Sequence, residues 1–168
     1  MRLGLIVAKL IAASTRFEDR IGGAAELELA WDATLKKDTA FVVPLSEGAS
    51  PNTGDVVIKQ KLTERFSVVV AIANDSSDKD KVGFAAYDSL HAVRAELWSA
   101  LLGWVMPDVE DMVSYVGGRI SKIHRGYLWF QFDFECSRWV GKDDGVTEEA
   151  TDYLDQIWAQ YQVIGGNE

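Results

Sequence analysis

The first part of the chain changes from a helical pattern of apolar positions to strand patterns. Residues 2–20 repeat apolar side chains with a helical period, which predicts an amphipathic helix that ends before the glycines at 22–23. Residues 26–31 alternate between apolar and polar side chains, which predicts a short strand. Residues 39–45 are β-branched and aromatic, so we expect a second strand there, with Pro44 near an edge or a strand end.

The middle of the chain predicts a buried strand followed by a helix. Residues 46–54 are turn formers with almost no apolar side chain, so we expect an exposed loop. In the next strand pattern, 55–74, the half at 66–73 is nearly all apolar, which is typical of a central strand covered on both faces. Residues 75–81 indicate a solvated connection, and the helical period at 84–104 predicts a helix that packs across the sheet.

A long β-hairpin is predicted near the end of the chain. Its strands are residues 113–123 and 127–140, and its turn is 124–126. The two glycines at 117–118 suggest a bulge in the first strand. The second strand alternates, with Leu128, Phe130, Phe132, Phe134 and Cys136 on one face and Trp129, Gln131, Asp133, Glu135 and Ser137 on the other. We expect the first face to lie in the core and the second to meet water or another subunit.

The pattern ends with a helix predicted at 147–161, capped by Thr147. Because the strands come in runs, the expected fold class is α+β. We expect a mostly antiparallel (mixed) sheet with helices packed on one face, a long C-terminal hairpin and an extra C-terminal helix. The expected domain covers residues 1–141, followed by a linker, helix and tail at 142–168.

The charge balance narrows the possible partners. The chain carries 17 basic and 26 acidic residues, a formal net charge of −9. This argues against nucleic-acid binding, because phosphate neutralisation requires clustered Lys and Arg, although DNA could pass an acidic wall without binding to it. Lys9 interrupts the apolar start, so we expect no cleaved signal, and no apolar window is long enough to predict a membrane helix. The single cysteine permits no intrachain disulfide.

The sequence holds no convincing catalytic constellation. It lacks a G-x-S-x-G turn, and its two histidines, His91 and His124, fall on the predicted helix and in the hairpin turn. Cys136 lies in a row of phenylalanines, where a thiol behaves as a small apolar group. Asp133 and Glu135 lie roughly 6–7 Å apart along one strand face, a separation that glycosidases use. Since such a pair more often marks the wet side of a sheet, we expect no enzyme.

Metal and phosphate motifs are also missing. No His or Cys cluster has zinc spacing, and neither the P-loop nor the dinucleotide-binding glycine pattern occurs. The best calcium-loop register begins at Asp78 but places Val82 and Ser89 at positions that require oxygen-rich ligands. We therefore expect no metal and no cofactor.

One basic stretch, made of Arg119, Lys122, His124 and Arg125, and several exposed aromatic or loop residues suggest protein contacts. Arg119 and Lys122 point to opposite faces of a regular strand, and would share a face only if a bulge changed the phase. We interpret this stretch as a complement to acidic surface on a neighbouring subunit. The candidate subunit or partner contacts are Pro51, Asn52, Asp55, Arg119, Arg125, Trp129, Trp139 and Trp158.

The order of the elements supplies a resemblance. An N-terminal amphipathic helix precedes four segments that read TAFVVPL (39–45), FSVVVAIAND (66–75), AAYDSLHAVRAELWSALLGW (85–104) and LWFQFDFECSRWV (128–140). Over roughly residues 1–140, this layout resembles the tail terminator proteins of long-tailed bacteriophages, also called tail completion or minor tail proteins.

The resemblance implies a structural virion protein made in the host cytoplasm and located at the head-proximal end of the tail. Such subunits form a homohexameric ring that caps the tail tube, stops the tube protein from polymerising further and offers a docking surface to the head–tail connector. DNA leaves through the bore without specific binding, and no cofactor, catalytic residue or membrane is involved. Two alternatives remain: another head–tail joining or tube component, or a small-molecule-binding or enzyme domain that uses the aromatic sheet face as a pocket.

Overall fold

The computed structural model describes residues 1–54, 57–73 and 84–144. Its helices are α1 (Leu3–Ala12), α2 (Ala24–Ala30) and α3 (Phe84–Leu101), followed by a 3-10 turn at Lys142–Asp144. Its strands are β1 (Ile21–Gly22), β2 (Thr39–Ala49), β3 (Gln60–Ala73), β4 (Ser114–His124) and β5 (Tyr127–Val140). Asp55, Trp158, the connection expected at 75–81 and the helix expected at 147–161 lie outside the described residues.

The strands form one five-stranded sheet in the order β1-β2-β3-β5-β4. β1 pairs in parallel with β2, and β4 pairs antiparallel with β5, so the predicted α+β class with a mixed sheet and a long C-terminal hairpin is confirmed. The predicted central strand is also confirmed. β3 lies in the middle of the sheet, and its residues from Phe66 to Ile72 are all buried.

Two sets of side chains cover the two faces of the sheet. The first face packs against α1 and α3, through residues such as Ile6, Leu10, Val93 and Leu97 from the helices and Val68, Val70, Phe132 and Phe134 from the strands. The second face packs against α2, with a smaller cluster of Ala30, Phe41, Val69, Ala71, Tyr127 and Trp129. The expected placement of helices on one face therefore describes α1 and α3, whereas α2 lies on the opposite face.

The strand predicted at 26–31 was wrong, because these residues belong to helix α2. Ala, Glu and Leu are strong helix formers, and six residues of alternation cannot outweigh that preference. The Glu26 carboxylate also accepts a hydrogen bond from the Gly23 N–H at 3.0 Å, which satisfies one free donor at the start of the helix. Leu27 and Trp31, four residues apart, then lie on the face that packs against the sheet.

Other boundaries differ from the sequence prediction. The first helix ends at Ala12 rather than near residue 20, and Ser14 and Glu18 then have positive φ values that a helix cannot contain. β2 continues through Ala49, so the first part of the expected 46–54 loop is strand. α3 ends at Leu101, two residues before Gly103 adopts a φ of +76°.

The chain divides into two compact units. Of the described residues, the first unit contains those within 1–48 and 63–138, and the second contains those within 49–62 and 139–144. No helix among the described residues is long and apolar enough to cross a membrane.

Candidate interaction surface

β4 forms a long outer edge of the sheet in the first unit. It has 11 residues and contains no proline, whereas the strand at the other edge, β1, has two residues. Among the described residues, no strand pairs with the outer side of β4. Outer strands of this length present backbone N–H and C=O groups to which another chain can bind, so β4 is a candidate for contacts between subunits.

Two bulges decide which side chains of β4 share a face. The register with β5 shifts between Tyr115 and Gly117 and again between Ile120 and Lys122, so the bulge suggested by the glycines is confirmed. As a result Arg119 lies opposite Gln131 and Lys122 lies opposite Trp129. Because Gln131 and Trp129 belong to the same face of β5, the second bulge brings Arg119 and Lys122 onto one face.

Gly118 is required by close packing beside the first bulge. A Cβ at this position would lie 2.6 Å from a ring carbon of Phe130, 2.7 Å from the Tyr115 hydroxyl and 3.0 Å from the Gln131 carbonyl oxygen. At the neighbouring Gly117, an added Cβ would meet nothing within 4 Å. Packing therefore requires a glycine at position 118 but not at position 117.

Trp129 was expected to be exposed, and this expectation was wrong. The side chain is only 1% exposed, because it lies against Trp31 with ring centroids 4.5 Å apart and against Phe41 at 6.1 Å. Lys122 completes the cluster, with Nζ 3.6 Å from the centre of the Trp31 ring and 5.8 Å from that of Trp129. The end of α2 covers this part of the sheet, so Trp129 stabilises the subunit and offers no surface to a partner.

The polar face of β5 is also less exposed than expected. Asp133 is 7% exposed, and its carboxylate accepts hydrogen bonds from Ser67 Oγ at 2.6 Å and Gln131 Nε2 at 2.7 Å. Arg119 Nη1 donates to the other carboxylate oxygen at 3.1 Å. Ser137, 8% exposed, donates a hydrogen bond to the carboxylate of Asp111. The sequence alternation identified these residues as polar, but apart from Gln131 their hydrogen-bond partners lie on other strands or loops.

Arg125 also has partners within the chain. Its guanidinium donates to the backbone carbonyl of Asp32 and lies 3.8 Å from the Asp32 carboxylate. These contacts tie the hairpin turn to the residues that follow α2. Since Arg119 and Arg125 both form intrachain contacts, reversing their charge would perturb the subunit as well as any interface.

The surface contains exposed apolar residues that were not among the sequence candidates. On β4, Ile120 and Ile123 are 47% and 68% exposed, and their partners Phe130 and Leu128 place them on the first face of the sheet. On α2, Leu29 is 76% exposed. The sequence signal was available, because apolar side chains recur on both sides of β4, but the wrong strand assignment at 26–31 obscured Leu29.

The described part of the second unit contains an ordered loop. Asn52 Oδ1 accepts hydrogen bonds from the N–H groups of Gly54 at 3.2 Å and Lys59 at 2.7 Å, so this side chain closes the loop. Pro51 and Asn52 are exposed. Trp139 is 42% exposed, and Lys59 Nζ lies 5.2 Å from its ring centre. These three sequence candidates are therefore accessible in their own unit.

The described residues offer little for chemistry. Cys136 is 2% exposed, and burial, aided by the nearby Glu64 carboxylate, raises the pKa of its thiol to about 11. No group of three or more His, Cys, Asp or Glu side chains among the described residues could hold a metal ion. An open cleft of about 380 Å³ is lined by Ser46, Glu47, Gly48, Thr63, Arg65 and Glu135. It pairs hydroxyl groups with charged side chains but contains no histidine that could act as a base.

Comparison with known proteins agrees with the layout. A sequence model of the family described as phage tail terminator protein matches residues 1–144. Comparison with curated proteins finds no significant match. Among solved structures, a chain of the "Virion of native gene transfer agent (GTA) particle" has a TM-score of 0.50 and 10% sequence identity, over 80% of this chain and 92% of that one. At this identity the likeness concerns the fold alone.

Proposed function

We infer the role of this chain from its family, because it belongs to the phage tail terminator family. It is a structural protein of the virion tail, and the family is not one of enzymes. Within that role, we propose that the chain assembles into a homohexameric ring at the head-proximal end of the tail tube. The ring stops addition of tube protein and offers a docking surface to the head–tail connector.

The observation that carries this proposal is the family match, which extends from residue 1 to residue 144 and so includes every described element. Two features of the subunit support it. The outer edge of β4, with which no strand of the described residues pairs, offers its backbone to another chain. The formal net charge of −9 suits a bore through which DNA passes without specific binding.

The proposal is tested by adding the purified protein to tail tubes that lack it. We expect electron microscopy to show one ring at one end of each tube, and tube protein added afterwards to extend capped tubes no further. A ring of six subunits has a mass of about six times 18.6 kDa, which native mass spectrometry of released rings measures directly. Tubes that keep growing from the capped end would refute termination. Rings of another mass would refute only the stoichiometry.

For the second unit, we propose that Pro51, Asn52 and Trp139 contact the tube protein or the connector. Asn52→Ala removes the side-chain hydrogen bonds to Gly54 and Lys59 without shortening the chain. Deleting residues 52–54 removes the loop tip itself. We expect the deletion to broaden the distribution of tail lengths or to block head joining, whereas tails of normal length and full infectivity would exclude the loop from the mechanism.

A further inference from the structure

In the described part of the first unit, the sheet has an unpaired stretch of strand at each end. At one end, no described strand pairs with the outer side of β4, which has 11 residues. At the other end, the described residues of β1 pair with β2 only at Ala40 and Phe41. Residues 44–48, farther along β2, are all exposed. Both stretches therefore present backbone N–H and C=O groups to which a further strand can bind.

β4 has only one of the usual protections of an exposed edge strand, its two bulges. Edge strands are commonly protected by short length, proline, charged side chains or bulges. β4 is long and instead carries the exposed apolar side chains of Ile120 and Ile123. Its lysine, Lys122, lies with Nζ 3.6 Å from the centre of the Trp31 ring, so it does not shield the edge. Between the bulges, residues 117–120 keep a continuous register with β5.

The strand directions allow the two stretches to pair in neighbouring copies. β4 is antiparallel to β5. β5 is antiparallel to β3, because residue numbers rise along β3 as they fall along β5 in their contacts, and the same holds for β2 and β3. β2 and β4 therefore run in opposite directions. When a second copy lies beside the first in the same orientation, β4 meets β2 antiparallel, and each face of the sheet continues in the next copy.

We propose that the outer side of β4 in one copy pairs with residues 45–48 of β2 in the next copy, so that one sheet continues from subunit to subunit. This inference rests on the proposed ring and names the contact that builds it. Pro44 has no N–H to donate, so the pairing begins after it. A head-to-tail contact of this kind closes into a ring when the rotation between neighbours permits.

Charge favours β2 of the next copy, and not a second β4, as the strand that pairs. β4 carries Arg119 and Lys122 and no acidic residue, so two β4 strands side by side would bring like charges together. Residues 45–48 carry Glu47 and no basic residue. Glu47 lines the open cleft with Glu135 on the second face of the sheet, which is also the face of Arg119. Arg119 makes an ion pair within the chain, but its guanidinium has further N–H donors for a carboxylate of the next copy.

Paired cysteines test the contact directly. Ser46→Cys on β2 is combined in turn with one exposed position of β4, in three variants that carry Ser114→Cys, Val116→Cys or Ile120→Cys. A short bismaleimide is added to rings formed on tail tubes, and denaturing electrophoresis separates the linked subunits. We expect at least one double variant to give a ladder that extends beyond dimers, because each copy is linked to both neighbours. Wild type is the background control, since its single thiol is buried.

The single-cysteine variants decide the direction of the contact. Each should give monomers only, because position 46 of one copy meets β4 of the next and not another position 46. Dimers from a single β4 cysteine would show that two β4 strands pair, and would overturn the head-to-tail contact. Ser46→Cys with Leu29→Cys, an exposed position on α2, is the matched control and should give no ladder.

A charge variant measures the contribution of Glu47. Glu47→Arg places a positive charge beside the basic side chains of β4, and we expect half-maximal ring formation to require about tenfold more protein. Glu47→Asp keeps the charge and should assemble near the wild-type concentration. Because Glu47 is exposed, the thermal melting of both variants should match that of the wild type.

The possible results separate this contact from the proposed function. If rings form on tubes but no double variant gives a ladder, and Glu47→Arg assembles as wild type, the contact is refuted while the ring stands. If the ring protects the β4 cysteines from a monofunctional maleimide but no ladder forms, another component covers β4 and the second-copy proposal is wrong. If wild-type protein forms no rings on tubes at any concentration, the proposed function fails, and this contact with it.

Discussion

The variant Trp129→Ala tests whether Trp129 stabilises the subunit or contacts a partner. The structure places this side chain 1% exposed between Trp31 and Phe41, with ring centroids 4.5 and 6.1 Å away. Replacing a buried tryptophan by alanine costs about 3–5 kcal/mol, from lost burial and from the cavity that remains. Since a domain of this kind is stable by about 5–15 kcal/mol in total, the variant should lose a large share of its stability.

Urea unfolding followed by far-ultraviolet circular dichroism measures this loss. Work at a protein concentration too low for ring formation keeps the subunit's own stability separate from assembly. With a denaturant slope of about 2 kcal/mol per molar urea, the midpoint should fall by about 1.5–2.5 M. Trp139→Ala is the control. That side chain is 42% exposed, so we expect a loss below about 1 kcal/mol.

The opposite pattern would contradict a stabilising role for Trp129. If Trp129→Ala unfolds at the wild-type urea concentration but fails to form rings, Trp129 contacts a neighbouring subunit and the cluster with Trp31 does not hold α2 on the sheet. A loss of stability in both tryptophan variants by similar amounts would show that exposure in the subunit does not govern their contributions.

Three further predictions follow from the hairpin and its core. Gly118→Ala should lower the free energy of unfolding by about 1–3 kcal/mol and the melting temperature by several degrees, whereas Gly117→Ala should melt near the wild-type temperature. Equal melting temperatures for the two variants would contradict the close packing around Gly118. Asp133→Asn should lower the free energy of unfolding in urea by about 1–3 kcal/mol, since one amide oxygen cannot accept hydrogen bonds from three donors. Arg119→Ala should lower it by less than about 1 kcal/mol, because that side chain is exposed. A larger loss for Arg119→Ala than for Asp133→Asn would contradict the hydrogen-bond network around Asp133. Cys136 should resist thiol reagents at pH 8 until the protein unfolds. Because burial raises the pKa of its folded thiol to about 11 from 9.0, the unfolded thiol ionises first, so Cys136 should reduce stability as the pH rises from about 9 to 11, and a Cys136→Ala variant should lack that part of the pH dependence.

The hairpin was predictable because its alternation extends over many residues and nothing local competes with it. Residues 127–140 match β5 as predicted, and the apolar half at 66–73 matches the buried part of the central strand. Residues 26–31 fit both a short strand and one turn of helix, and alternation over six positions cannot decide between them. Helix propensity and the Glu26 contact with the Gly23 N–H decide it in favour of α2.

The error at α2 also explains why the interaction surface was only partly predicted. Without a helix over the second face, Trp129 had no visible cover, and the contacts of Asp133 with Ser67 on β3 and Arg119 on β4 could not be inferred from the pattern of one strand, so both residues were expected to face water or a partner. The shared face of Arg119 and Lys122 depends on a bulge at Ser121, and no feature of the sequence there signals it. Leu29 and Ile123 become candidates only when exposure is known, because an apolar residue in a helix or strand normally predicts burial.

The proposed role at the tail end is tested most directly by cryo-electron microscopy of tail tubes incubated with the purified protein. We predict one ring of this chain at a single end of each tube, six copies around an open bore, with no tube protein added beyond it. Tubes that carry no ring, or protein that polymerises into filaments without limit, would contradict this role.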